Sequence, residues 1–220
     1  MSRALEKLPA FLISLDPERA DRAMGRAERA GVGQIFLFTG FRNSGLKNDL
    51  PVRRGFGGIP GEIGCFLSHI GVAKMARSLG LERFLILEDD VVFCKGFAER
   101  VEPMIKDFPE CDVLMLGHNI SWPEEAKGAL DDSGQFITPW LSLWGTHAML
   151  ATAKYAEVMS DPSTEMRTAF DNQLYDTQFR GELRVMATRE ILCGQDRMEL
   201  SSEIAPQHRR IVPDGFDAAE

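Results

Sequence analysis

Three consecutive carboxylates, Glu88-Asp89-Asp90, follow directly on the apolar run Phe84-Leu85-Ile86-Leu87 and precede Val91-Val92. Adjacent negative charges repel one another, and holding them beside apolar residues is costly without positive compensation. A divalent cation is the simplest compensation. Carboxylate and water ligands suit Mg²⁺ or Mn²⁺, which take one or two protein carboxylates and complete their shell with water and phosphate. The plainer reading is a solvated turn after a strand. Four large apolar residues without alternation suit a strand covered on both faces, in the middle of a parallel sheet. Ligands of open α/β sheets gather at the carboxyl ends of strands, so the acids stand where chemistry would be done.

Other residues able to do chemistry are scattered along the chain. Glu62 and His69 are seven apart and share one helical stripe beside the apolar face of Ile63, Phe66, Leu67 and Ile70. Such a stripe can line a pocket, although a lone His is more often satisfied by a local hydrogen bond. Asp171 and Asp176 are separated by five, so at most one is expected to face a common site. The glycine-rich stretch 39–58 carries Arg42, Lys47, Arg53 and Arg54 and is either plain surface or a source of positive charge for phosphate. Trp140 and Trp144 lie close together and serve either as core or as a surface for stacking on a sugar. Cys65, Cys94, Cys111 and Cys193 show no C-x-x-C pair and read as buried thiols.

The elements that must position these groups alternate between strand and helix. Residues 10–15 read as a first buried strand, and Asp16-Pro17 supplies an N-cap and a first-turn proline for a helix that Gly31 terminates. Strands are expected at 34–38, 84–87, 112–116, 146–151 and 183–187, and helices from 60 onward, over 152–160 and over 165–179. Residues 121–138 read as a long polar excursion of the kind that carries acceptor recognition. The tail from 195 is polar, with a basic Gln207-His208-Arg209-Arg210, and its end is expected to fray.

Composition limits what the acids can serve. With 220 residues, 44% of them hydrophobic, the chain suits one domain with a proper core. A net charge of −8 and the lack of any Lys/Arg run argue against direct nucleic-acid binding. The opening residues lack the apolar core of a signal peptide and no stretch is long enough to span a bilayer, so a cytoplasmic location is expected, with peripheral attachment to the inner face of the membrane left open.

In order, Ile13-Ser14-Leu15 with Arg22, then Gly61-Glu62-Ile63-Gly64-Cys65-Phe66-Leu67-Ser68-His69, then Leu87-Glu88-Asp89-Asp90-Val91, resemble glycosyltransferase family 25. That family includes bacterial lipooligosaccharide galactosyltransferases and collagen galactosyltransferases. The resemblance continues through Gly145-Thr146, Asp171, Gln195 and residues 201–204. It implies a GT-A-like α/β fold: a Rossmann-type mixed, mostly parallel sheet flanked by helices. It also implies a UDP-sugar donor, most often UDP-galactose, with Mn²⁺ or Mg²⁺, and inversion at the sugar. Asp90 stands as the direct metal ligand, Glu88 as a metal-side and donor contact, and Asp89 on the donor side. Asp171 matches the base that takes the acceptor's proton. Ser14, Leu15 and Arg22 would face the nucleotide, with Thr39 and Gly40 nearby; Glu62, Ser68 and His69 would line the same cleft.

One glycosyltransferase domain over 1–220 is therefore expected. Its nucleotide-sugar and metal half lies at about 8–117, its acceptor side at about 118–205 and a tail at 206–220. The acceptor implied is a saccharide or lipid-linked glycan in lipopolysaccharide or other surface-glycan synthesis. Two positions depart from the family pattern: Ser14 stands where Asn is usual, and Thr39-Gly40 where Asp-Gly is usual, both near the expected nucleotide. Two other classes stay in view, a noncatalytic nucleotide-sugar-binding relative and a metal-dependent nucleotidyl or phosphoryl transferase. The second lacks any G-x-x-x-x-G-K-[ST] loop.

Overall fold

The computed structural model describes residues 4–42, 60–119, 128–140 and 142–196. In chain order the elements are α1 (Ala4–Lys7), β1 (Pro9–Ser14), α2 (Pro17–Arg29), β2 (Gln34–Thr39), α3 (Pro60–Ser78), β3 (Arg83–Glu88), β4 (Val91–Phe93), α4 (Phe97–Lys106), β5 (Val113–Met115), β6 (Gly128–Leu130), β7 (Phe136–Pro139), β8 (Ala148–Thr152), α5 (Ala153–Met159), α6 (Phe170–Phe179), β9 (Val185–Thr188) and β10 (Cys193–Gln195). The loop cations Lys47, Arg53 and Arg54, and the tail residues 201–204, Arg209 and Arg210, lie outside the described residues.

Eight strands make one mixed sheet in the order β2-β1-β3-β8-β5-β9-β7-β6, and β4 pairs separately with β10. Six of the eight point one way; only β7 and β8 run against them. The expected α/β class with a mixed, mostly parallel sheet flanked by helices is what the chain adopts.

Strand β3 lies inside this sheet, parallel to β1 and antiparallel to β8. Its pleat sends alternate side chains to two cores. Leu85 and Leu87 pack with residues of α1, α2 and α4 on one face. Phe84 and Ile86 pack with residues of α3, α5 and α6 on the other. A strand buried on both faces needs apolar residues at every position, which is why its run does not alternate.

Connectivity sets where the cleft falls. From β1 the chain passes through α2 to β2 on one side, then returns through α3 to β3 on the other side of β1. The helices of these two crossovers cover opposite faces of the sheet. Strand order therefore reverses at β1, the switch point beyond whose strand ends open α/β sheets bind their ligands. Ser14 ends β1 and Glu88 ends β3, so both lie at that point.

Local signals explain the boundaries. Asp16 caps α2 by accepting hydrogen bonds from the N–H groups of Glu18 (2.8 Å) and Arg19 (3.0 Å). Helix α6 starts at Phe170 rather than near 165. Its Gln173 explains the difference. The side-chain amide donates to the Glu165 carbonyl and accepts the Arg167 N–H, both at 2.8 Å, holding the stretch before the helix in an irregular path. The polar excursion over 121–138 also needs correcting: part of it pairs as the antiparallel strands β6 and β7 at the edge of the sheet. Among the described residues, no helix is long and apolar enough to cross a membrane.

Candidate active site

The three acids at the end of β3 face three different environments. Asp89 turns inward and is 8% exposed. One of its oxygens lies 2.6 Å from the Ser14 hydroxyl and the other is ion-paired with Arg19. The Ser14 hydroxyl also lies 2.8 Å from the Asp16 carbonyl oxygen, joining the ends of β1 and β3 to the first turn of α2. Burial pushes the Asp89 carboxyl up. Ser14 and Arg19 pull it down, Glu88 adds to the rise, and the net shift is upward from the ordinary 3.8.

Glu88 is half-buried. Its Oε1 accepts from the Thr146 hydroxyl at 2.7 Å and lies 3.2 Å from His69 Nε2. Burial drives this carboxyl upward, but the hydrogen bond and charge of His69, then Thr146 and His147, outweigh it, and the pKa falls below the ordinary 4.5. His69 itself is 1% exposed and stacks on the Phe170 ring at 4.1 Å between centroids. It is thus not satisfied within its own helix; it reaches across from α3 to the end of β3.

Asp90, also half-buried, accepts from Gln195 Nε2 at 3.2 Å, and its backbone carbonyl accepts the Asp196 N–H at 2.6 Å. The β4–β10 pairing, with Gln195 opposite Val91, brings this partner to the turn. Gln195 Oε1 in turn accepts from Asn119 Nδ2 at 2.7 Å.

Arg19 and Arg26 carry out most of the positioning, and neither stands out in the sequence read by motif. Arg26 donates from Nε to the Val91 carbonyl and from Nη2 to the Asp89 carbonyl, both at 2.8 Å, and so clamps the backbone of the acidic turn. Burial lowers its pKa, opposed by the charges of Asp196, Asp90 and Asp89. The readable signal is spacing: Arg19, Arg22 and Arg26 recur at i, i+3 and i+7, hence on one stripe of α2. Arg22, which the family pattern points to, is exposed on that stripe and makes no ion pair among the described residues.

The other expected cleft residues form a second group at the end of β2. The Gly40 N–H donates to the Ser14 carbonyl at 2.8 Å, and Thr39 beside it is exposed. A Cβ at Gly40 would come within 3.3 Å of both Leu15 Cγ and Ser68 Oγ, so these three close on one another. Ser68 is a buried tether: its hydroxyl donates to the Gly64 carbonyl at 2.7 Å and accepts the Phe41 N–H at 2.9 Å. Gly64 is needed here because a Cβ would sit 2.4 Å from the Phe41 carbonyl oxygen. Glu62 is half-buried in the first turn of α3.

Asp171 sits in the first turn of α6 and is half-buried. It accepts the Gly145 N–H at 3.3 Å and the Asn172 N–H at 2.8 Å. Asp176, by contrast, is ion-paired with Arg180 on the surface, so only Asp171 meets the loop that leads to Thr146 and Glu88.

Cys65, like Cys94, departs from the expectation of buried thiols. It is half-buried on α3, four residues before His69, and its sulfur, a His69 ring nitrogen and a Glu88 oxygen all lie within 4.8 Å of one another. Such a group can hold a cation. However, burial pushes the Cys65 thiol well up, and the negative charges of Glu88, Asp171 and Asp90 push it further. A protonated thiol is a poor ligand. Arg19 already compensates Asp89, which leaves Glu88 and Asp90 as the other two acids of the turn.

The opposite shifts of two adjacent acids give a pH signature. Glu88 has a folded pKa below its unfolded value, so the stability it contributes is present above about 4.5 and is lost as pH falls through the folded value. Asp89 has a raised folded pKa, so its contribution is present below about 3.8 and is lost as pH rises. The melting-temperature gap between wild type and Glu88→Gln is therefore expected to shrink on acidification from pH 6 to pH 3.5, followed by calorimetry. A gap that stays constant over that range would remove the Glu88–His69 interaction from the account.

An α/β sheet whose strand order reverses binds its ligands beyond the strand ends at that switch point, where the acidic turn stands. The chain is similar to glycosyltransferase family 25, described as an LPS biosynthesis protein family, whose sequence model matches residues 60–130, spanning α3 and the acidic turn. It is 31% identical over 152 residues to inactive glycosyltransferase 25 family member 3 of Homo sapiens, covering 61% of this chain and 25% of that protein. It is 30% identical over 88 residues to procollagen galactosyltransferase 2 of Mus musculus, covering 38% of this chain and 14% of that protein. The chain thus spans a quarter or less of the length of these relatives. Among solved structures, a glycosyltransferase involved in glycosylation of the major capsid of PBCV-1 superposes with a TM-score of 0.41 at 12% identity, covering 69% of this chain and 62% of that one.

Proposed function

We propose that this chain is an inverting, metal-dependent glycosyltransferase that moves a hexose, galactose by family analogy, from a UDP-sugar to a saccharide acceptor in lipopolysaccharide or other surface-glycan synthesis. The observation that carries this reading is the division of labour at the end of β3. Arg19 neutralises Asp89 internally, leaving Glu88 and Asp90 half-buried at the switch point with Asp171 tethered to the same loop system. Glu88 and Asp90 would hold Mn²⁺ or Mg²⁺, whose chemistry there is Lewis-acid stabilisation of the departing nucleoside diphosphate. Asp171 takes the proton of the attacking acceptor hydroxyl. Leu15, Thr39, Gly40 and Arg22 line the nucleotide side, with Glu62 along the wall that α3 provides; the buried Ser14, Ser68 and His69 support that wall from behind, and Asp89 holds the turn in place.

A second reading has its own support. A relative named as inactive matches 61% of this chain at 31% identity, which favours a nucleotide-sugar-binding protein without turnover as the alternative. One experiment separates the two. Thermal melts with a panel of UDP- and other nucleotide sugars, with and without Mn²⁺, are expected to show a Mn²⁺-dependent rise with one UDP-sugar. Release of UDP from that sugar when saccharide is added marks the enzyme, and a shift without release marks the binding protein. No shift with any nucleotide sugar would reject both.

A further inference from the structure

Trp144 has a backbone φ of 53° and is 54% exposed. The left-handed region is unfavourable for a bulky residue, and such a conformation persists only where its surroundings over-determine it. Here they do. The Asn119 N–H donates to the carbonyls of both Leu143 (3.1 Å) and Trp144 (3.0 Å). The Asn119 side chain continues through Gln195 to Asp90. On the other side the Gly145 N–H donates to Asp171 at 3.3 Å, and the Trp144 N–H to Ser142 Oγ at 3.3 Å.

Neighbouring residues leave little choice about which side chain is presented. Leu143 is fully buried and anchors the loop in the core. Gly145 is itself left-handed at φ 87°, and a Cβ there would lie 2.7 Å from Asn119 Nδ2 and 3.0 Å from His147 Nδ1. The backbone is thus bent at some cost to hold one large aromatic in solvent, one peptide unit from the N–H that tethers Asp171.

We propose that Trp144 is the platform on which the acceptor saccharide stacks, an inference that rests on the glycosyltransferase reading above. The apolar C–H face of a pyranose ring covers the indole, as apolar faces pack on aromatic rings generally. Its hydroxyl edge is then turned toward Asp171. Because the loop is tied to Asp90 and to Asp171 at once, the platform is registered against both ends of the reaction.

The test is saturation-transfer NMR with lactose, cellobiose and chitobiose on wild type, Trp144→Gly, Trp144→Phe and, as control, Trp140→Ala; Trp140 is comparably exposed at the other end of the same segment. At least one disaccharide is expected to receive saturation in wild type, Trp144→Phe and Trp140→Ala. In Trp144→Gly binding should weaken by about tenfold or more, although glycine adopts this φ freely and the melting temperature should hold or rise. A Trp144→Gly protein that binds as wild type does, or that loses binding together with several degrees of stability, overturns the platform. Wild type that responds to a UDP-sugar but to none of the disaccharides also overturns it and leaves the transferase reading standing. Disaccharide contact at Trp144 without any UDP-sugar response supports the glycan site and removes the transferase.

Discussion

Asp171→Asn is expected to lower kcat/KM for sugar transfer by about 10³-fold, the range general-base catalysis supplies, while donor binding is kept. The argument is geometric. Both Asp171 oxygens accept backbone N–H groups, from Gly145 and from Asn172, so its position is fixed by the loop and by the start of α6 together. Asparagine keeps the shape but has one acceptor oxygen, and its amide must face one of those N–H groups as a second donor. A stability loss of about 1 kcal/mol is expected from that bond, too little to explain a thousandfold change in rate. Measuring UDP release against acceptor concentration, with the donor thermal shift in parallel, separates the two effects. Turnover within about tenfold of wild type would leave Asp171 as a loop tether and place the base elsewhere.

The second large effect contrasts two neighbouring residues. Asp90→Ala is expected to abolish metal-dependent transfer, by about 10³-fold or more given how much a metal contributes to a charged leaving group. The fold should survive, because the carboxylate is half-buried and its side-chain bond to Gln195 is worth about 1 kcal/mol. Asp89→Ala should do the reverse at the level of stability. It removes the partner of Arg19 and of the Ser14 hydroxyl in a buried position, at a cost of about 3 kcal/mol. The measurements are a Mn²⁺ titration of activity and a denaturant melt for each variant. If Asp90→Ala keeps Mn²⁺-dependent activity, the metal assignment fails. If Asp89→Ala is as stable as wild type, the inward clasp of Asp89 is wrong.

The second pair of variants depends on distinctions among residues that look equivalent on paper. Glu88, Asp89 and Asp90 are three acids in a row, and composition treats them alike. Arg19 and Arg26 tell them apart, one by pairing with the Asp89 side chain and one by gripping the turn's carbonyls. Arg22, three residues from Arg19, has the motif resemblance but not the contact. The spacing of the three arginines was readable; which of them reaches the acids depends on the angle at which α2 crosses β1, and no local pattern carries that angle.

Much about this protein was determined by the sequence alone, because the forces involved act over short distances along the chain. The unbroken run 84–87 required a strand buried on both faces, Asp16-Pro17 required a helix start, and the acids following the run had to leave the sheet at its carboxyl end. The strand and helix alternation then implied the α/β sheet. Only the tertiary structure decided the rest. Strands β4 and β10 are three residues each, too short for periodicity to reveal, yet their pairing carries Gln195 to Asp90 across 105 positions of sequence. Helix α6 begins five residues later than its pattern suggests because the Gln173 side chain competes for the preceding backbone. Trp144 takes a left-handed turn that no Gly or Asn announces, since the hydrogen bonds that impose it come from Asn119 and its neighbours. Local preferences are legible where they act without opposition; a site is made where distant groups overrule them.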